Sequence, residues 1–159
     1  SLARRVVVGM DFSRFAIHAA NEALRLCAEN SVVTLAHSRP RAGSITGWEH
    51  TYEHAIPHLF EEARRHLTIP DSMQVETVTL VGHSPGASLS DFAVAWGADL
   101  VVSATHGHGT LTRLTGGSVA ADLLHKAPCS FLCVPAPAAT IHDRSRHTHP
   151  SHVPHSLIY

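Results

Sequence analysis

Residues 4 to 13 read Arg-Arg-Val-Val-Val-Gly-Met-Asp-Phe-Ser, and the fold is decided there. The valine run with its flanks reads as a short strand, Arg4 to Met10, apolar on both faces as strands inside a parallel sheet are. Gly9 to Ser13 reads as the loop that leaves it. Outward from this stretch, further Val- and Leu-rich runs occupy Ser31 to His37, Met73 to Val81, Asp99 to Ala104 and Cys129 to Val134. Segments of helical period fill the gaps. The first carries Ile17, Ala20, Leu24 and Cys27 on one stripe, and the third carries Leu89, Phe92, Ala93 and Trp96, the pattern of helices packed on a sheet. The second, Trp48 to Leu67, has Tyr52, Ile56, Leu59, Phe60 and Ala63 in register, with Pro57 expected to kink or split it. A fourth follows Gly117. Strand alternating with helix predicts an α/β fold, an open five-stranded parallel sheet with helices on both faces.

Arg39 to Gly47 reads as a loop at the carboxyl edge of the second strand. Beyond Pro135 the periodic patterns stop. The expected organisation is one domain over 1–135 and a tail over 136–159 that holds His142, His147, His149, His152 and His155. No Cys, Asp or Glu stands among the last four of these histidines, so no preorganised metal site is expected.

Composition narrows the chemistry. The 159 residues are 44% hydrophobic and 16% charged, which excludes a wholly disordered chain, and no apolar run approaches the roughly 20 residues of a membrane-spanning helix. Lys and Arg number 12 against 13 acidic residues, so there is no basic excess to neutralise a line of phosphates. Neither nucleic acid nor a membrane is an expected partner. The one lysine, Lys126, lacks the glycine spacing of a Walker loop. Histidine, at 15, outnumbers Lys and Arg together, which makes the net charge acid-sensitive. Cys129 and Cys133 lie about 13 Å apart if both are on one strand, too far to pair. With no secretory leader in view and no Cys-x-x-Cys, the chain reads as cytoplasmic and reduced.

In open α/β sheets ligands bind beyond the carboxyl ends of the strands, where strand order reverses. The loops to inspect are Gly9-Met10-Asp11-Phe12-Ser13 and Ala104-Thr105-His106-Gly107-His108-Gly109, the latter followed by Gly116-Gly117-Ser118-Val119 at a helix start. Small residues admit backbone N–H groups close to an anion, and a serine at a helix N-terminus adds a hydroxyl to the helix dipole. The same glycines and serine also suit an ordinary turn and helix cap.

Val102-Ser103-Ala104-Thr105-His106-Gly107, then nine residues, then Gly117-Ser118-Val119 resembles the Gly-x2-Gly-x9-Gly-Ser signature of the universal stress proteins. The start Val6 to Ser13, the second strand Val33 to His37 and the last segment Ala127 to Val134 are similar to the same family, so the resemblance covers about residues 3 to 135. It implies strand order 3-2-1-4-5 and an adenine-nucleotide alpha-hydrolase-like fold. For ATP-binding members it implies ATP with Mg²⁺, with Asp11 beside the nucleoside and backbone at Ser38 meeting adenine. Gly9, Met10, Ser13 and Ala104 count among the expected nucleotide-binding residues as well, while Gly107, Gly117, Ser118 and Val119 match phosphate-loop positions. Ala104 stands where the signature has its first Gly; its methyl is harmless at negative φ and straining at positive φ. The resemblance further implies a homodimer through Cys129 to Val134.

Other motifs compete with this reading. Gly82-His83-Ser84-Pro85-Gly86 matches a hydrolase nucleophile elbow, but the residue after Ser84 should donate its N–H to the oxyanion, and proline has none. The same residues suit a turn with Pro85 opening the third helix. His106, His108 and Arg113 flank the expected phosphates, and each suits a solvated surface equally. The expected function is an ATP-binding stress-response or signalling module with an unknown protein partner, at most a slow ATP hydrolase or autophosphorylating protein. The alternatives are a nucleotide-free stress or scaffold dimer and a serine esterase using Ser84.

Overall fold

Three consecutive valines, stiff at χ1, favour extended backbone, and alternating side chains send Val6 and Val8 to one side of the sheet and Val7 to the other. All three are fully buried, so each face must be covered. The computed structural model describes residues 3–40, 47–82, 85–105 and 129–137, and it shows how. The strands are β1 (Arg5–Gly9), β2 (Val32–Pro40), β3 (Gln74–Gly82), β4 (Leu100–Ala104) and β5 (Ser130–Val134), and the helices are α1 (Arg14–Leu26), α2 (Gly47–Arg65) and α3 (Pro85–Trp96). The strands form one parallel sheet in the order β3-β2-β1-β4-β5. On the Val6 side, Ala16, Ile17, Ala20 and Leu24 of α1 and Ile56, Phe60 and Ala63 of α2 close the core. On the Val7 side, Leu89 and Ala93 of α3 pack with Val101 and Cys129. Each buried valine contributes about 1.5–3 kcal/mol. The expected fourth helix lies outside the described residues, as does the tail beyond Pro137.

Two expectations change. β2 continues through Arg39 and Pro40 instead of ending at His37, because its ladder with β3 persists to the pair Pro40↔Gly82. β1 has already ended opposite Ala36, so this overhang needs no apolar residues and reads as loop from its letters. α2 runs unbroken through Pro57. The proline lies on the exposed side, one turn from exposed Glu53, so the carbonyl deprived of its helical N–H can be hydrated while Ile56, Phe60 and Ala63 hold the inner face.

Helix ends follow their residues. The Ser13 hydroxyl accepts the Ala16 N–H at 3.2 Å and caps α1. α3 starts at Pro85, as expected, and ends at Gly97, whose φ of +72° suits glycine. There Ala98 N–H reaches Ala93 O and Gly97 N–H reaches Val94 O, the paired bonds of a Schellman cap. Cys27, Cys129 and Cys133 are all free thiols. Among the described residues no helix is long and apolar enough to cross a membrane.

At the amino end of the sheet, the Asp99 carboxylate accepts the N–H groups of Arg4 (2.9 Å) and Arg5 (2.8 Å), tying the start of β1 to the turn before β4. The N–H of Arg5 first, then that of Arg4, holds its pKa below the ordinary carboxylate value. A folded carboxyl that resists protonation stabilises the fold above the unfolded pKa near pH 4, and this contribution disappears as pH falls through the lower folded value. Asp99→Asn should therefore cost about 0.5–1 kcal/mol at pH 7, the modest value left by solvent exposure. Urea denaturation of both proteins at pH 7 and near pH 2.5 checks this: the difference should shrink towards zero in acid.

Candidate functional site

The strand order reverses at β1: β2 and β3 extend to one side, β4 and β5 to the other. The carboxyl ends of β1 and β4 therefore bound the crevice where such sheets take ligands. Gly9 closes β1 and is paired with Ala36. Met10 donates its N–H to Ala36 O at 2.8 Å and buries its side chain completely. The chain then turns sharply. Asp11 is half-buried, and its Oδ1 accepts the Ser13 N–H at 2.9 Å, bending the backbone so that Phe12 adopts φ +63°. For a bulky residue this left-handed conformation is costly and is found where surrounding structure enforces it. The enforcement here is packing: the Phe12 ring lies 4.6 Å from the His37 ring and meets Phe60 edge-on at 5.0 Å.

Ser13 is buried. Ser38 sits on the overhang of β2, paired with Leu80 of β3 and past the last β1 pair. Ala104 ends β4 opposite Val134 and is buried. Among the described non-glycine residues only Phe12 and Asn30 have positive φ, so Ala104 keeps ordinary strand geometry and its methyl causes no backbone strain. The ladder carries one step further, from Thr105 N–H to Val134 O at 3.0 Å. The structure thus brings Gly9, Met10, Asp11, Ser13, Ser38 and Ala104 to the carboxyl end of the sheet. Gly107, Gly117, Ser118 and Val119 lie outside the described residues, as do His83, Ser84, His106, His108 and Arg113.

A polar pair behind the turn, a buried histidine and a half-buried tyrosine, was not expected from the sequence. His37 continues the inward alternation of Val33 and Leu35. Its Nδ1 is 2.7 Å from Met10 O and its Nε2 is 2.6 Å from the Tyr52 hydroxyl of α2. Burial pulls the His37 pKa down; the Met10 carbonyl and the nearby Asp11 charge oppose the shift. Burial and the same charge push the Tyr52 phenol up. A second tie, the ion pair of Arg39 with Glu53 at 2.6 Å, also joins the β2 overhang to α2. The signal for the pair was present: a histidine where a strand's alternation calls for an apolar residue must find hydrogen-bond partners inside.

The sequence profile of the universal stress protein family matches residues 3–135. The chain belongs to the universal stress protein family. Among solved structures, a universal stress protein in complex with cAMP is 25% identical, with a TM-score of 0.55 over 84% of this chain and 98% of that one. UspA from Lactobacillus plantarum is 19% identical, with a TM-score of 0.61 over 84% of this chain and 99% of that one. The Archaeoglobus fulgidus universal stress protein in complex with dAMP is 23% identical, with a TM-score of 0.55 over 84% and 98%. The last two likenesses speak for the fold alone. No curated protein is significantly similar to the chain. The sheet order is that of the adenine-nucleotide alpha-hydrolase-like fold of these universal stress proteins.

In this universal stress protein the turn and α1 are joined through Ser13, so its cap can be tested apart from any ligand. Ser13→Ala should destabilise the protein by about 1 kcal/mol, whereas Ser13→Gly should cost only a few tenths, because glycine is itself an acceptable cap. Chemical denaturation of the three proteins measures the order; equal losses would show that burial, not capping, sets the cost.

Proposed function

We propose that this universal stress protein binds an adenine nucleotide, ATP with Mg²⁺ foremost, in the crevice at the carboxyl ends of β1 and β4, and acts as a nucleotide-dependent stress-response or signalling module. The observation that carries the reading is the Asp11 turn. A half-buried carboxylate, held by Ser13 N–H, stands at the N-terminus of α1, at the end of the strand that pairs with β4. Such a carboxylate can accept from a nucleoside amine or hydroxyl with the strength of a charge-assisted bond. Two relatives in the fold were solved with adenine nucleotides, cAMP and dAMP.

In this reading Gly9, Met10 and Ser13 shape the turn, Asp11 holds the nucleoside and the Ser38 backbone meets the base. Ala104 fits the edge of the crevice because its backbone is ordinary strand. By resemblance Gly107, Gly117, Ser118 and Val119 take the phosphates, which carry the Mg²⁺. In this reading ATP is a ligand first, and at most slowly hydrolysed or used in autophosphorylation.

The same reading includes a homodimer. Among the described residues β5 is an edge strand, and Phe131, Leu132 and Cys133 on it are only partly buried, so a second copy can pair with the edge and cover them. Light scattering at tens of micromolar should give a dimer mass, and Phe131→Asp should reduce it to a monomer.

Calorimetry tests the ligand. Asp11→Ala should weaken adenosine and ATP alike by about tenfold or more, the value of one hydrogen bond to a charge. Ala104→Gly should leave affinity within about twofold, since no strain is relieved. No heat from ATP at millimolar concentration with folded protein would favour the nucleotide-free dimer instead.

A further inference from the structure

The carbonyl of Met10 is an acceptor only, so the His37 Nδ1 at 2.7 Å must carry the hydrogen. In the neutral ring Nε2 then has a lone pair, and the Tyr52 hydroxyl at 2.6 Å donates to it. Both nitrogens are satisfied in one tautomer. The ring itself is hemmed in by Phe12 at 4.6 Å, Tyr52 at 5.9 Å and Phe60 at 6.4 Å between centroids. Met10 is thereby held twice, its N–H on Ala36 O of β2 and its carbonyl on the histidine. That carbonyl belongs to the peptide plane that ends at the Asp11 nitrogen, and planarity carries its orientation to the Asp11 Cα.

We propose that His37 is the positioning residue of the nucleoside end of the site: its Nδ1–H fixes the Met10–Asp11 peptide, and so the direction in which the Asp11 carboxylate leaves the turn, while Tyr52 locks the ring from α2. The nucleoside clause rests on the nucleotide reading above; the positioning of the turn does not. A carboxylate aimed before the ligand arrives avoids the entropy of ordering it on binding. Acting through a carbonyl and a backbone turn, His37 itself touches no ligand in this scheme.

Two substitutions of equal polarity separate the two bonds. His37→Asn places an amide N–H near the position of Nδ1 and keeps the Met10 bond while losing Tyr52; His37→Gln reaches the position of Nε2 and keeps Tyr52 while losing Met10. The readouts are amide hydrogen exchange at Ser13 in ligand-free protein, calorimetric affinity for adenosine and ATP, and global stability by denaturation. The expected result is that Gln speeds Ser13 exchange and weakens adenosine and ATP by about tenfold each, one lost buried bond, while Asn stays within about threefold of wild type. The reverse order, or affinities of both variants that simply follow their stabilities, overturns the proposal. Unchanged Ser13 exchange in His37→Gln overturns the positioning even if nucleotide binds. A wild type that binds no adenosine or ATP removes the nucleotide reading and the nucleoside clause with it, and Ser13 exchange then still decides whether His37 holds the turn.

Discussion

Val6, Val7 and Val8 on the central strand are buried on both faces, and the architecture follows from that demand. A strand of five residues cannot cover itself, so α1 and α2 close one face and α3 the other. Parallel neighbours require crossover connections, and with β2 on one side of β1 and β4 on the other, the carboxyl end of β1 becomes the place where the sheet divides. Gly9 to Ser13 is the chain that leaves that place. Core and site are two consequences of one buried strand.

The strands were legible in the sequence because fully buried parallel strands are written as near-continuous apolar runs, and the five runs correspond to the five strands within a few residues. The boundaries that moved are instructive. Ser38, Arg39 and Pro40 lie beyond the reach of β1, where pairing with β3 alone sustains the strand, and hydrogen bonding between backbones leaves no mark on side-chain identity. Pro57 is a local signal overruled by packing: the inner stripe of α2 keeps the helix, and the outer face tolerates the missing bond. Of the candidate site, Asp11, Ser13 and Ala104 are singled out by spacing and family resemblance. The His37–Tyr52 pair is not, because Tyr52 reads as one more apolar residue of a helical stripe and only the fold brings the hydroxyl to the imidazole.

Ala104 departs from the signature without straining the backbone. A glycine in a signature signals either a backbone that only glycine adopts or a space that a methyl would fill. At Ala104 the first explanation does not apply, since the residue is the last paired position of β4 and extended. The methyl lies within the apolar core cluster that also holds Val102 and Val134, and it adds contact on the inner side of the strand.

Phe12 carries two opposed preferences. Its left-handed backbone costs about 1–2 kcal/mol relative to an ordinary conformation, and its ring recovers that through burial against His37 and Phe60. Phe60 belongs to α2, so part of the packing that keeps the backbone curled is supplied by a helix distant from the β1 turn in sequence. If α2 lifts away, the curled conformation loses its compensation while the valine ladder of β1 with β2 and β4 remains paired. The turn bearing Asp11 would then uncurl first, leaving a sheet that is still assembled: the crevice is the part of the molecule whose order is borrowed from a neighbour.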